Sequence, residues 1–171
     1  MPNNADSLII DGAVVVNMVR PRPERTFSEY ATQSFLPYVQ AQLLHVQRVD
    51  VVWDEYLPTS LKTTTRQQRG QGTRRCVLPN SPLPRNWQTF LRLDQNKMEL
   101  FRFLAQCIAG LGCQKQIITT HGKDILATLP REDTSALAPC TQEEADTRIF
   151  LHAADAIQHG YSKVPYSIYL F

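Results

Sequence analysis

The sequence predicts an α/β fold, with a mostly parallel central sheet flanked by helices on both faces. Two features predict it. Short β-branched runs alternate with longer stretches whose apolar residues recur at three- and four-residue steps. Acidic residues also follow the first two apolar runs, at the carboxyl ends where open α/β sheets form their ligand crevice.

Leu8, Ile9 and Ile10 form the first run, a short buried strand that Asp11 and Gly12 break. Over residues 26–46, Phe27, Tyr30, Ala31, Ser34, Phe35, Tyr38 and Leu43 follow a mostly helical spacing. Thr26 caps this helix with Glu29 as its capping-box partner, and Pro37 kinks or divides it. Residues 48–53 (RVDVVW) make the second strand, ended by Asp54. Pro58, Thr59 and Ser60 form a break that can cap a further helix. Residues 70–85, rich in Gly, Pro, Arg and Asn, read as a long polar loop. A helix over 87–109 carries Phe90, Leu93, Leu100, Phe101, Leu104 and Ile108 on its apolar side. Residues 116–120 form a third strand and 124–129 a fourth. Thr141 opens a last helix reaching about His159, and Gly160 stops it. From Lys163 the chain starts like another strand and meets Pro165.

At 171 residues, 43% hydrophobic and 20% charged, the whole chain, 1–171, reads as a single globular domain. A net charge of +2 creates no global field toward nucleic acid, so any basic surface is local. Cys76, Cys107, Cys113 and Cys140 show no metal-finger spacing and read as reduced thiols. There is no basic signal-peptide start and no apolar run near the ~20 residues of a membrane span. A soluble intracellular protein without membrane contact is expected, nucleus or cytoplasm left open. Gly70-Gln71-Gly72 and Gly110-Leu111-Gly112 lack the strand-to-helix setting of a dinucleotide loop, and neither a phosphate-binding loop nor a GxSxG elbow occurs. No nucleotide cofactor is expected.

Asp11 and Asp54 end two strands, and neighbouring strands lie roughly 4.8 Å apart. Two carboxylates so close repel unless one keeps its proton or a divalent cation separates them. Magnesium takes oxygen ligands and keeps several waters, so a few carboxylates suffice. Glu143, Glu144 and Asp146 form a third acidic group at the start of the last helix, where Thr141 and Glu144 also read as a capping box. Taken singly, Asp11 reads as a turn former, Asp54 as a surface acid and Glu144 equally as a helix cap. Their conjunction carries the functional reading.

The blocks IIDGAVVV, VVWDEYLPTSLKTTTRQQR and LAPCTQEEADTRI resemble the PIN-like superfamily, especially its flap-endonuclease branch. They also resemble large multi-copy animal proteins linked to mobile elements, over nearly the whole chain. The resemblance implies a Rossmann-like three-layer sheet and hydrolysis of DNA or RNA phosphodiesters by water activated on Mg2+ or Mn2+. It assigns Asp11, Asp54, Glu144 and Asp146 as catalytic metal ligands, with Glu143 in a shifted alignment. It also implies one or two further acids after the strand following the acidic helix. This chain has no acid after Asp155, so the domain is expected to be truncated at its C-terminus, lacking a ligand and a core strand.

Lys62, Arg66, Arg69, Arg74 and Arg75 lie within one acid-free segment. If Ser60 caps a helix, Lys62, Arg66 and Arg69 line one face and could bind a nucleic-acid backbone. The resemblance assigns that role to Lys62 with Arg66 or Arg69. A solvated loop is the competing reading, favoured for Arg74 and Arg75. His121 could be a site residue near a strand end but reads first as a turn residue, His152 and His159 as packing or surface groups, and Trp53 and Trp87 as core or interface residues. Besides a nuclease, the sequence allows a non-catalytic nucleic-acid-binding remnant or a protein-interaction domain.

Overall fold

A computed structural model of the protein describes residues 6–56 and 73–167. The chain runs β1 (Ser7–Asp11), α1 (Gly12–Met18), α2 (Phe27–Tyr30), a π-helical turn (Ala31–Phe35), α3 (Leu36–Gln42) and β2 (Arg48–Val52). It continues with α4 (Trp87–Phe90), α5 (Asp94–Ala109), β3 (Gln116–His121), β4 (Asp124–Ala127), α6 (Ala145–Gln158) and β5 (Tyr166–Ser167). The five strands form an open mixed sheet in the order β4-β3-β2-β1-β5. β1 pairs in parallel with β2 and β5, β2 in parallel with β3, and β4 runs antiparallel on the outer edge. Beyond Lys163, where the sequence starts like another strand, the chain pairs with β1 as β5 as far as Ser167.

Strand alternation sorts the residues onto two faces. Leu8, Ile10, Val49, Val51, Trp53 and Ile117 enter the main core, with Phe27, Tyr30, Phe35, Phe90, Phe101 and Leu104 from the helices. Trp53 is its hub: the indole stacks on Phe101 at 4.6 Å and Phe35 at 5.8 Å, and Nε1–H donates to Thr119 Oγ1. On the other face Ile9 and Val52 meet Ala145 and Ile149 of α6 in a small apolar cluster.

The polar positions of β2 are also buried. Arg48 and Asp50 point to the α6 face and are 1% and 0% exposed. Arg48 grips Asp50 through Nε–Oδ1 (2.6 Å) and Nη2–Oδ2 (2.7 Å), and His152 Nδ1 lies 2.6 Å from Asp50 Oδ2. Asp155 stands 2.7 Å from Arg48 Nη2 and 2.7 Å from Arg131 Nη2. His152 is therefore buried with an acidic partner supplied by β2 across space.

Three helix predictions are corrected. The 26–46 helix ends at Gln42, and its register widens to a π turn just before Pro37. A proline lacks the N–H for the preceding turn and its ring crowds the carbonyl four residues back, so widening relieves both. Thr26 caps as expected, accepting from Glu29 N–H, but Glu29 accepts from Arg25 N–H and leaves the capping box half made. The 87–109 helix breaks between Phe90 and Asp94. Buried Asn96 stabilises the break by donating Nδ2–H to Phe90 O and Thr73 O, each at 2.9 Å.

The last helix starts at Ala145, not near Thr141. Conversely, α1 follows β1 directly, although its Val14-Val15-Val16 run favours a strand. Asp11 starts it by accepting from Ala13 N–H (2.7 Å) and Val14 N–H (3.2 Å). Gly12 admits the turn because a Cβ there would overlap the Trp53 indole.

Residues 73–85 are irregular as expected, yet tied down. Arg74, though exposed, pairs with Glu99 and bonds Asn96, and Arg75 Nη1–H donates to Pro82 O. All four cysteines are free thiols. No helix of the described residues is long and apolar enough to cross a membrane.

Candidate active site

Asp11, Asp54 and Asp146 meet at one corner of the sheet, where the carboxyl ends of β1 and β2 face the amino end of α6. Register explains the first two. Asp11 lies opposite Val52, so Asp54 follows two residues beyond on the same face. The third is brought in by a hydrogen bond across 91 residues: Asp54 Oδ1 accepts from Ala145 N–H at 2.8 Å. A second tie, Glu55 N–H to Glu143 O at 2.7 Å, holds the segment before α6 against the end of β2.

Asp54 is thus the cap of α6, and the Thr141–Glu144 capping box does not form. Glu144 occupies the cap position without a side-chain capping bond, and only Asp146 of the acidic group lies in the first turn. The other Asp54 oxygen accepts from the Tyr56 hydroxyl at 3.0 Å. Glu144 and Asp146 are exposed, while Asp11 and Asp54 are half-buried.

Asp11 registers the crowding. Burial, followed by repulsion from Asp54 and Asp146, raises its pKa from 3.8 to about 6 against the backbone amides that favour its charged form. Asp11, Asp54 and Asp146 make this corner acidic and all-oxygen. It does not form a closed cage. Among the described residues no group of three or more His, Cys, Asp or Glu side chains is gathered closely enough to hold a metal ion.

Sequence reasoning missed two neighbours, Arg148 and Tyr56, and read a third, His121, chiefly as a turn residue. Arg148 is buried and clamps the approach to α6, donating Nε–H to Gln142 O (2.7 Å) and Nη1–H to Gly122 O (2.8 Å). Tyr56 holds Asp54. His121, the last residue of β3, shares a narrow cleft with Asp54, Arg102 and Arg148. Arg148 had a sequence signal as the cation on the apolar stripe of α6, and His121 as a residue near a strand end. Lys62, Arg66 and Arg69, the expected backbone-binding row, lie outside the described residues, as does the Ser60 cap.

No protein-family model matches the chain, and neither the curated proteins nor the solved structures yield a match.

Proposed function

We propose that the chain is a metal-dependent nuclease-type domain of PIN-like, three-layer architecture, acting on the phosphodiester backbone of DNA or RNA. The observation that supports it is the convergence of Asp11, Asp54 and Asp146, from two strand ends and one helix start, on a single corner. The Asp54–Ala145 hydrogen bond fastens that corner.

In this reading Asp11 and Asp54 would hold a hydrated Mg2+ or Mn2+ together with Asp146, and Glu144 beside it, at the helix start. When bound, the ion supplies an activated water and stabilises the leaving oxygen. With a pKa of about 6, Asp11 is mostly ionised at neutral pH, and a bound cation would lower that value again. Lys62, Arg66 and Arg69 are the proposed contacts to the nucleic-acid backbone.

A second reading, a non-catalytic nucleic-acid-binding or protein-interaction domain, draws on a different observation. Both Asp54 oxygens are already engaged by protein donors, as expected of a purely structural cap.

Cleavage of branched and single-stranded DNA and RNA with Mg2+ or Mn2+ tests the proposal. Cleavage should occur and Asp54→Asn should abolish it, while still accepting from Ala145 N–H and so preserving the fold. Absence of cleavage with either metal, or equal cleavage by the variant, refutes it. Metal-independent binding that weakens steeply with salt would then support a binding remnant.

A further inference from the structure

Two irregular segments, residues 19–29 and 75–86, are laced together beyond the end of α1. Thr26 bridges Pro82 in antiparallel sense, and Leu83 N–H donates to Arg25 O (2.8 Å). Phe27 N–H donates to Ser81 O (3.3 Å), Ser28 N–H to Pro79 O (2.9 Å) and Arg75 Nη1–H to Pro82 O (2.9 Å). With Leu83 opposite Arg25, the antiparallel run carries Arg85 toward Pro23 and Arg22. Pro21, Pro23, Pro82 and Pro84 interrupt these residues, and each fixes its own φ, so the paired loops are stiff.

The pair is strongly basic. It holds Arg20, Arg22, Arg25, Arg75 and Arg85 against Glu24 and Glu29, an excess greater than the +2 of the whole chain. Neither acid is spent on a guanidinium. Glu24 accepts from Arg22 N–H (2.7 Å) and the Ser34 hydroxyl, and Glu29 accepts from Arg25 N–H (2.7 Å). Arg20, Arg22, Arg25 and Arg85 are exposed, and none forms an ion pair among the described residues. Arg20 Nε–H donates to Asn17 O at 3.2 Å, which fixes that side chain at the end of α1. Beside it opens a cavity of about 420 Å3, with Met18 and Val19 as an apolar wall and Arg20, Arg22 and Gln33 as polar lining.

We propose that this surface binds the phosphate backbone of single-stranded nucleic acid; the choice of nucleic acid rests on the nuclease-type reading, which the surface deepens. Guanidinium forks match phosphate oxygens two at a time, and loops already stiffened by proline lose little freedom on binding. The cavity beside Arg20 and Arg22 has room for one unstacked base against Met18 and Val19, which a duplex does not offer. Asp11 starts α1 and Arg20 follows its end, and a helix of 7 residues measures roughly 10 Å. A strand of a few nucleotides therefore spans from the arginines to the acidic corner.

Fluorescence anisotropy in EDTA, where metal-dependent cleavage is blocked, measures binding of a fluorescein-labelled single-stranded DNA to the full chain across a sodium chloride series. The triple variant Arg22→Ala, Arg25→Ala, Arg85→Ala should bind at least tenfold more weakly. Its plot of log affinity against log salt should be shallower by about 2, as the loss of three phosphate contacts requires. Circular dichroism checks the fold; if the triple variant fails to fold, Arg85→Ala alone should give about a third of the slope change. The proposal is overturned by absence of wild-type binding, by an unchanged affinity and slope in the folded variant, or by a duplex binding more tightly than the single strand. Displacement of the DNA by poly-glutamate at equal charge overturns it too, since charge alone would then decide. Wild-type binding with no cleavage in Mg2+ or Mn2+ sinks the nuclease reading and upholds this surface. Cleavage with binding unaltered in the triple variant does the reverse.

Discussion

Replacing Asp11 with Asn should stabilise the protein, and by an amount that grows with pH. Asp11 ionises at about 6 in the fold against an ordinary 3.8. Because the folded value is the higher one, the stability it contributes is fully present below 3.8. It is lost as pH rises through 6. Linkage sets the ceiling of that loss at about 3 kcal/mol by pH 8, with roughly 0.5 kcal/mol lost by pH 4. Half-burial and water near the carboxylate reduce the ceiling, so about 1–3 kcal/mol is expected.

Asparagine is the informative replacement because its Oδ1 still accepts from Ala13 and Val14 N–H and remains a strong helix cap. Urea denaturation of wild type and variant between pH 4 and 8, in chelator-treated buffer, measures the difference. The two should nearly coincide at pH 4 and separate by pH 8, by roughly 2–10 °C if followed as melting temperature. Restoring Mg2+ should close the gap by stabilising only the wild type. Parallel pH profiles would refute the electrostatic argument, since Asp11 would then feel neither burial nor Asp54 and Asp146.

Two further substitutions probe the supports of the site. Gly12→Ala forces a methyl group into the rigid, buried Trp53 indole and should destabilise by about 2–3 kcal/mol or more, measurable by urea denaturation; an effect under 0.5 kcal/mol would mean that α1 shifts freely. Asp50→Asn leaves Arg48 buried with a weakened partner beside His152 and should cost about 3–5 kcal/mol at neutral pH. Burial raises the Asp50 pKa, but hydrogen bonds and charge from Arg48 and His152 outweigh it and hold the carboxyl below its usual value. Wild type should accordingly lose this contribution only in strong acid, and an early loss near pH 5 would contradict the pairing.

Local features were legible wherever a single segment decides its own geometry. β1, β2 and β3 showed as β-branched runs, Thr26 as a cap and Trp53 and Trp87 as buried aromatics. Features set by two segments were not. The Glu144 region reads as a self-capping helix because Thr141 and Glu144 have the right spacing, yet Asp54 supplies the bond. Val14, Val15 and Val16 favour a strand by propensity, and the Asp11 cap with the Gly12–Trp53 contact overrides it. The partner of buried His152 is Asp50 on β2, 102 residues away, and not Asp155 three residues along its own helix.

The sequence by itself determined the alternation of strands and helices and the parity of each strand. Within β1 and β2, parity puts Asp11 with Ile9 and carries Asp54 with Asp50 and Val52. Tertiary structure decided what that shared face meets. α6 crosses it with its start beside Asp11 and Asp54 and its far end over Arg48, so one strand face holds an acidic corner at one end and the buried Arg48 ion pairs at the other. Side-chain direction along a strand is set by the local backbone, whereas the partner helix is chosen by burial and charge pairing between segments about 100 residues apart.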